Sequence, residues 1–219
     1  MTIPLEAANL SRRYGEFEAL RSTDLALHAG DLVVVSGPNG SGKSTLLLCL
    51  SGLLRPTTGQ VKVAGFDLYD DEQASRARLA YVPDVPAFYQ ALTAWEHLTF
   101  VALAHGVERD SGSDAFGQRA ERLLRALELW EARDLYPHAY SRGMRLKLGL
   151  ALAMIRPFDV LILDEPTSAL DVESVELLGR QLLDLRAAGK SILLSTHDPD
   201  FVRRIDATTW RMSDGTLTR

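Results

Sequence analysis

The sequence predicts an α/β fold: a mainly parallel sheet carrying a helical insert. Three observations carry this. "DLVVVSG" (31–37), "VLILD" (160–164) and "SILLST" (191–196) are short, continuous runs of Val, Ile and Leu. Such runs read as strands buried on both faces, as in a parallel sheet. Helical segments alternate with these strands. Strands dominate both ends of the chain, whereas residues 85–157 are helical in character.

Each element follows from local chemistry. After "DLVVVSG" a helix starts beyond Gly42 and runs through "KSTLLLCLSG". "QVKVAGF" (60–66) alternates and reads as a half-buried strand. "LAYVP" (79–83) is a short apolar strand that runs into Pro83 and Pro86, with Asp84 between them. Thr93 with Glu96 three residues on is a capping box that opens a second helix. "DAFGQRAERLLRALEL" (114–129) has apolar spacing near the helical period, and "RGMRLKLGLALAMI" (142–155) is a largely apolar helix. "DVESVELLGRQLLDLRAAG" (171–189) stops at Gly189. Asp198-Pro199 supplies an N-cap and a first-turn Pro for a last short helix. "TTWRMSDGTLT" (208–218) reads as a hairpin around Asp214-Gly215. "ERDSGSD" (108–114) is the most polar, loop-like stretch, and no internal repeat or low-complexity tract occurs.

Composition bounds the function. The 219 residues suffice for one sizeable core or two small ones. The net charge of −5 argues against a nucleic-acid role, which needs a basic face. Cys49 is the single cysteine, so no intramolecular disulfide or cysteine metal cluster is expected. Leu48 and Leu50 beside it favour a buried structural thiol over a reactive one. No apolar stretch is long enough to span a membrane, and "MTIPLEAANL" lacks the pattern of a signal peptide. A cytoplasmic location is expected.

"GPNGSGKST" (37–45) contains G-x-x-x-x-G-K-[ST] between a buried strand and a helix. Glycines let successive backbone N–H groups point at phosphates, and the helix N-terminus favours an anion. Lys43 would neutralise the β- and γ-phosphates, and Ser44 would ligate Mg²⁺. The fold class is thereby narrowed to a P-loop NTPase core. "VLILDEP" sets Asp164 and Glu165 at the carboxyl end of a buried strand, where open parallel sheets bind ligands. Asp164 is placed to hold Mg²⁺ and Glu165 to orient and deprotonate a water. His197 leaves the same edge in "SILLSTHD" and can contact a γ-phosphate or the attacking water.

Together these motifs resemble the ATP-binding subunits of ABC transporters, in that family's order and over essentially the whole chain. Tyr14 in "SRRYGEFEAL" matches the adenine-stacking position. Gly37, Pro38, Asn39, Gly40, Ser41, Gly42, Lys43, Ser44 and Thr45 match the Walker A loop. "YSRGMRLKLGLALA" (140–153) matches the signature segment, and "LILDEPTSALD" (161–171) matches Walker B with the D-loop. In the D-loop, Ser168 to Asp171 would contact another subunit. "STHD" (195–198) matches the switch histidine. The resemblance implies one ATPase domain over 1–219. Residues 1–84 and 158–219 would form the core lobe with an N-terminal antiparallel β subdomain, and 85–157 a helical signature subdomain.

The signature departs from the family's usual Leu-Ser-Gly-Gly-Gln. It reads Tyr140-Ser141-Arg142-Gly143-Met144, which keeps Ser141 and Gly143. By resemblance, segments of this kind are frequent in exporters. The resemblance also implies a head-to-tail dimer, homo- or heteromeric, in which each signature caps the γ-phosphate on the opposite chain. A separate transmembrane permease would hold the ATPase on the inner face of the membrane, its helices docking beside the loop after "LAYVP". Val85, Phe88 and Tyr89 either line that groove or pack on the helical insert. Asp84 stands where the family usually has a Gln. It either ligates Mg²⁺ or couples the loop to the permease, and a plain turn role stays open. Competing functions are a soluble ATPase of the same family acting on DNA or ribosomes, and a small-molecule P-loop kinase. The absence of a long coiled-coil insert or basic patch weighs against the first. The signature, D-loop and switch histidine weigh against the second.

Overall fold

The computed structural model describes residues 3–107 and 115–219; the "ERDSGSD" stretch lies outside the described residues. The strands are β1 (Leu5–Tyr14), β2 (Phe17–Leu27), β3 (Leu32–Ser36), β4 (Thr58–Val63), β5 (Phe66–Asp67), β6 (Leu79–Val82), β7 (Val160–Leu163), β8 (Ser191–Ser195), β9 (Thr208–Ser213) and β10 (Thr216–Thr218). The helices are α1 (Lys43–Leu50), α2 (Glu72–Arg76), α3 (Ala94–Ala104), α4 (Ala115–Ala126), α5 (Arg142–Met154), α6 (Val172–Ala187) and α7 (Pro199–Arg204).

Two sheets organise them. One is antiparallel, in the order β2-β1-β4-β5, and the other runs β10-β9-β3-β8-β7-β6. In the second sheet β6, β7, β8, β3 and β9 are parallel, and β10 alone is antiparallel, at one edge. The expected fold is therefore present: a mainly parallel sheet, an N-terminal antiparallel unit, and α3, α4 and α5 inserted between β6 and β7.

The central strands read as continuous apolar runs because both of their faces are covered. Val33, Val35, Ile162 and Leu193 point into a core shared with α1 and the antiparallel sheet. Their neighbours Leu32, Val34, Leu161, Leu163, Ile192 and Leu194 point into a second core shared with the inserted helices and α6. Cys49 lies fully buried in the first core, and burial pushes its thiol up to about 11. It is the structural thiol that its leucine neighbours predict.

The Thr93 capping box is formed: Thr93 Oγ1 accepts from Glu96 N–H at 3.2 Å, and the Glu96 carboxylate accepts from Thr93 N–H at 2.8 Å. The Asp214-Gly215 turn has positive φ at both residues, as a two-residue hairpin needs. Residues 60–66 are not one strand. The chain turns back at Ala64 and Gly65, both at positive φ, and Val63 pairs with Phe66 across a hairpin. The helix expected over 114–129 ends at Ala126, before Glu128 takes a left-handed conformation.

Candidate nucleotide site

Parallel strands deliver their carboxyl ends to one edge of the sheet, and the site is built there. The phosphate loop follows β3. Gly42 caps α1 in the left-handed region at φ 105°, and a Cβ there would stand 2.4 Å from the Ala19 carbonyl. No other residue fits. Lacking a side chain, Gly42 leaves the first-turn N–H groups of α1 without a side-chain cap. Uncapped donors, a positive helix end and a nearby ammonium suit a polyphosphate. The buried Lys43 donates from Nζ to the Gly37 and Pro38 carbonyls at 2.9 and 3.1 Å. Ser41 Oγ is buried without a hydrogen-bond partner among the described residues.

Asp164 and Glu165 leave β7 beside this loop. Asp164 is buried, and its N–H donates to the Val82 carbonyl at 2.9 Å. Ser195, fully buried on β8, donates from Oγ to Asp164 Oδ1 at 2.7 Å and accepts from Glu165 N–H at 2.9 Å. Glu165 sits at φ 48°, a left-handed conformation uncommon for a residue with a side chain. Burial raises its carboxyl above the ordinary range, with His197 and Lys43 opposing that rise. Its Oε1 approaches His197 Nε2 at 3.1 Å but is not aligned for a hydrogen bond. A carboxylate with a raised pKa, next to a His and a phosphate loop, is suited to act as a general base.

A cleft of about 510 Å³ joins these parts. Tyr14, Asn39, Lys43, Ser44, Thr45, Glu165 and His197 line it, together with Asp84 and Ser168. Among the described residues no group of three or more His, Cys, Asp or Glu could hold a metal on its own. Mg²⁺ does not need one, since it takes one or two protein oxygens and completes its shell with phosphates and water. Ser44 lines the cleft and would be one such oxygen; Asp164, buried and outside the lining, would be the other.

Tyr14 is half exposed at the cleft mouth, with the Arg12 guanidinium 4.7 Å above its ring. Phe17, 64% exposed across the β1–β2 turn, lines the same cleft. It is a second aromatic at the cleft that the sequence reading missed, although the spacing "YGEF" held the signal.

The signature begins α5. Ser141 is its N-cap and accepts from Met144 N–H at 3.1 Å. A Cβ on Gly143 would stand 2.9 Å from the Ala169 carbonyl, so this glycine lets α5 approach the D-loop of its own chain. Asp171 caps α6, accepting from Ser174 N–H at 2.8 Å, and that bond holds its carboxyl below the usual range. Asp84 Oδ1 accepts from Arg142 and from Ser168, a link that sequence spacing gave no means of finding. Phe88 packs against the helical core, Tyr89 is exposed but stacks on His97 and meets Phe100 edge-on, and Val85 is exposed. No helix among the described residues is long and apolar enough to cross a membrane.

The ABC transporter family matches residues 20–168, more than half of the chain. The octopine permease ATP-binding protein P of Rhizobium radiobacter is 31% identical, over 97% of this chain and 86% of that protein. The SkfA peptide export ATP-binding protein SkfE of Bacillus subtilis (strain 168) is also 31% identical, over 97% and 87%. A dimeric bacterial ABC transporter cassette superposes with a TM-score of 0.85 at 26% identity, over 98% of this chain and 97% of that one. That cassette is also known in a post-hydrolysis state bound to ADP and phosphate, with a TM-score of 0.84. On these matches the chain belongs to the ABC transporter family as an ATP-binding subunit with ATPase activity.

Proposed function

We propose that the chain powers a membrane permease as one half of an ATP-sandwiched dimer, with Mg²⁺ and export as the direction of transport. The observation that carries this concerns the cleft. Its lining comes from the β1–β2 turn, the phosphate loop, Asp84, Glu165, Ser168 and His197. Ser141, Arg142 and Gly143 lie outside it, and Ser141 and Arg142 are exposed. A second copy, placed head to tail, would bring the N-terminus of its α5 over the γ-phosphate, where a helix end favours an anion.

In this reading Lys43 and the loop bind the phosphates, and Ser44 and Asp164 hold the metal. Glu165 takes the proton of the attacking water, and His197 holds the γ-phosphate. The helical segment 85–157 carries the signature and moves as a lobe. A groove of about 470 Å³ runs between the loop after β6 and the helices α3 and α5, lined by Leu53, Pro86, Phe88, Val101 and Leu152 among others. Exposed apolar surface beside it (Val85, Tyr89, Leu103) suits the docking of permease helices. The signature variant and the named peptide-export relative support export. The relative named for a permease leaves the direction to experiment.

Glu165→Gln should bind ATP without hydrolysing it and run as a dimer in light scattering. A monomer at saturating ATP and Mg²⁺ would refute the sandwich. Purification from membranes should recover an integral membrane partner, and vesicles containing both proteins then report the direction of transport.

A further inference from the structure

Asp84 is held by two side chains of its own chain. Its Oδ1 accepts from Arg142 Nη2 at 2.9 Å and from Ser168 Oγ at 2.6 Å, and Arg142 also donates to Ser168 Oγ at 3.1 Å. Three segments meet here: the loop after β6, the first residue of α5, and the D-loop between β7 and α6. The loop touches α5 again at Pro86, where a Cβ on Gly149 would stand 2.9 Å from Pro86 Cγ. Arg142 and Gly149 are two turns apart on one face of the helix. One polar and one close-packed contact therefore fix the loop along α5.

Asp84 also lines the nucleotide cleft. A bare carboxylate there would repel phosphates bound in the cleft. Arg142 offsets that charge, and its Nη2 serves both the carboxylate and the Ser168 hydroxyl. The pair is partly exposed, with side-chain exposures of 53% for Arg142 and 39% for Asp84. Such pairs add little to stability, so this one can open and close without unfolding its surroundings.

We propose that Asp84 is a positioning residue that acts through Arg142 and Ser168. It sets the N-terminus of α5 and the D-loop as one unit, while the Arg142 guanidinium offsets its charge toward the phosphates. Movement of the loop then reaches both segments together. The proposal rests on the reading that these segments face a second chain.

The pair separates two kinetic effects. Asp84→Asn should lower kcat about tenfold and leave the KM for ATP within about twofold. Arg142→Met exposes the carboxylate and should raise that KM about fivefold or more. The double variant Asp84→Asn/Arg142→Met removes the repelling charge as well, and its KM should return to within about twofold of the parent. Arg142→Lys keeps the charge and should keep the KM. A double variant with a KM as high as Arg142→Met overturns the proposal. So does an Asp84→Asn variant whose main defect is a raised Mg²⁺ requirement, which would make Asp84 a metal ligand. Light scattering of Glu165→Gln with ATP reads the dimer separately. A monomer there overturns the sandwich and the proposal with it; a dimer with the wrong KM pattern overturns the proposal alone.

Discussion

Ser195 and Asp164 share a buried hydrogen bond of 2.7 Å between the neighbouring strands β8 and β7, and the same Ser195 oxygen accepts the Glu165 N–H at 2.9 Å. One hydroxyl thus fixes the Asp164 carboxylate and the backbone of Glu165. It lies two residues before His197 on the chain, so the β8 end and the β7 end are set against each other.

Ser195→Ala leaves a buried carboxylate oxygen and a backbone N–H without this partner. The expected cost is about 1–3 kcal/mol in unfolding free energy, read by denaturant titration. The kinetic effect should fall on kcat, by about tenfold or more, with ATP binding near that of the parent. Loss of ATP affinity with unchanged kcat would show that Ser195 serves only the phosphate loop.

The raised pKa of Glu165 has a sign that can be checked. Burial disfavours its charged form, so folding costs more where the carboxylate is ionised, above its folded pKa. Below the ordinary glutamate value that cost is absent. Glu165→Gln should therefore raise the nucleotide-free melting temperature at neutral pH, and the gain should shrink as pH falls toward the ordinary range. A gain that grows on acidification contradicts the buried-charge account. In parent enzyme the acid limb of kcat should stand above the ordinary glutamate range.

Gly143→Ala tests the approach of α5 to the D-loop. The new methyl would meet the Ala169 carbonyl at 2.9 Å, tighter than packing allows. The helix end or the D-loop must shift, with an expected loss of about 1–3 kcal/mol and a fall in hydrolysis larger than the fall in ATP binding. Calorimetry and steady-state kinetics on the same preparation separate the two effects.

Cys49 should resist alkylation. It is fully buried and its thiol is pushed up to about 11, so little thiolate exists near pH 8. A thiol reagent should modify it only on unfolding, at the rate of global opening. Rapid labelling of the native chain would mean that the α1 region opens locally.

Much of the fold is legible in the sequence because the central strands are covered on both faces. Continuous apolar runs such as Val33 to Val35 and Leu161 to Leu163 follow directly from that. The edge regions are harder to read. β1 and β2 carry polar, exposed residues and shift register between Ala7 and Arg13, so alternation is blurred. The β4–β5 hairpin hides because its first turn residue is Ala64 rather than Asn or Gly.

The phosphate loop, the Asp164-Glu165 pair and His197 are legible in the sequence, because each depends on local spacing and on position just after a strand, where the structure puts them. The sequence also determined that Asp84 and Arg142 are both present. Tertiary structure alone decided that they are partners, 58 residues apart and 2.9 Å in space. It likewise decided that Ser195 serves Asp164 and that Gly143 clears Ala169. Hydrogen bonds and close contacts between segments depend on how strands and helices pack, and no local pattern of residue types encodes that distance.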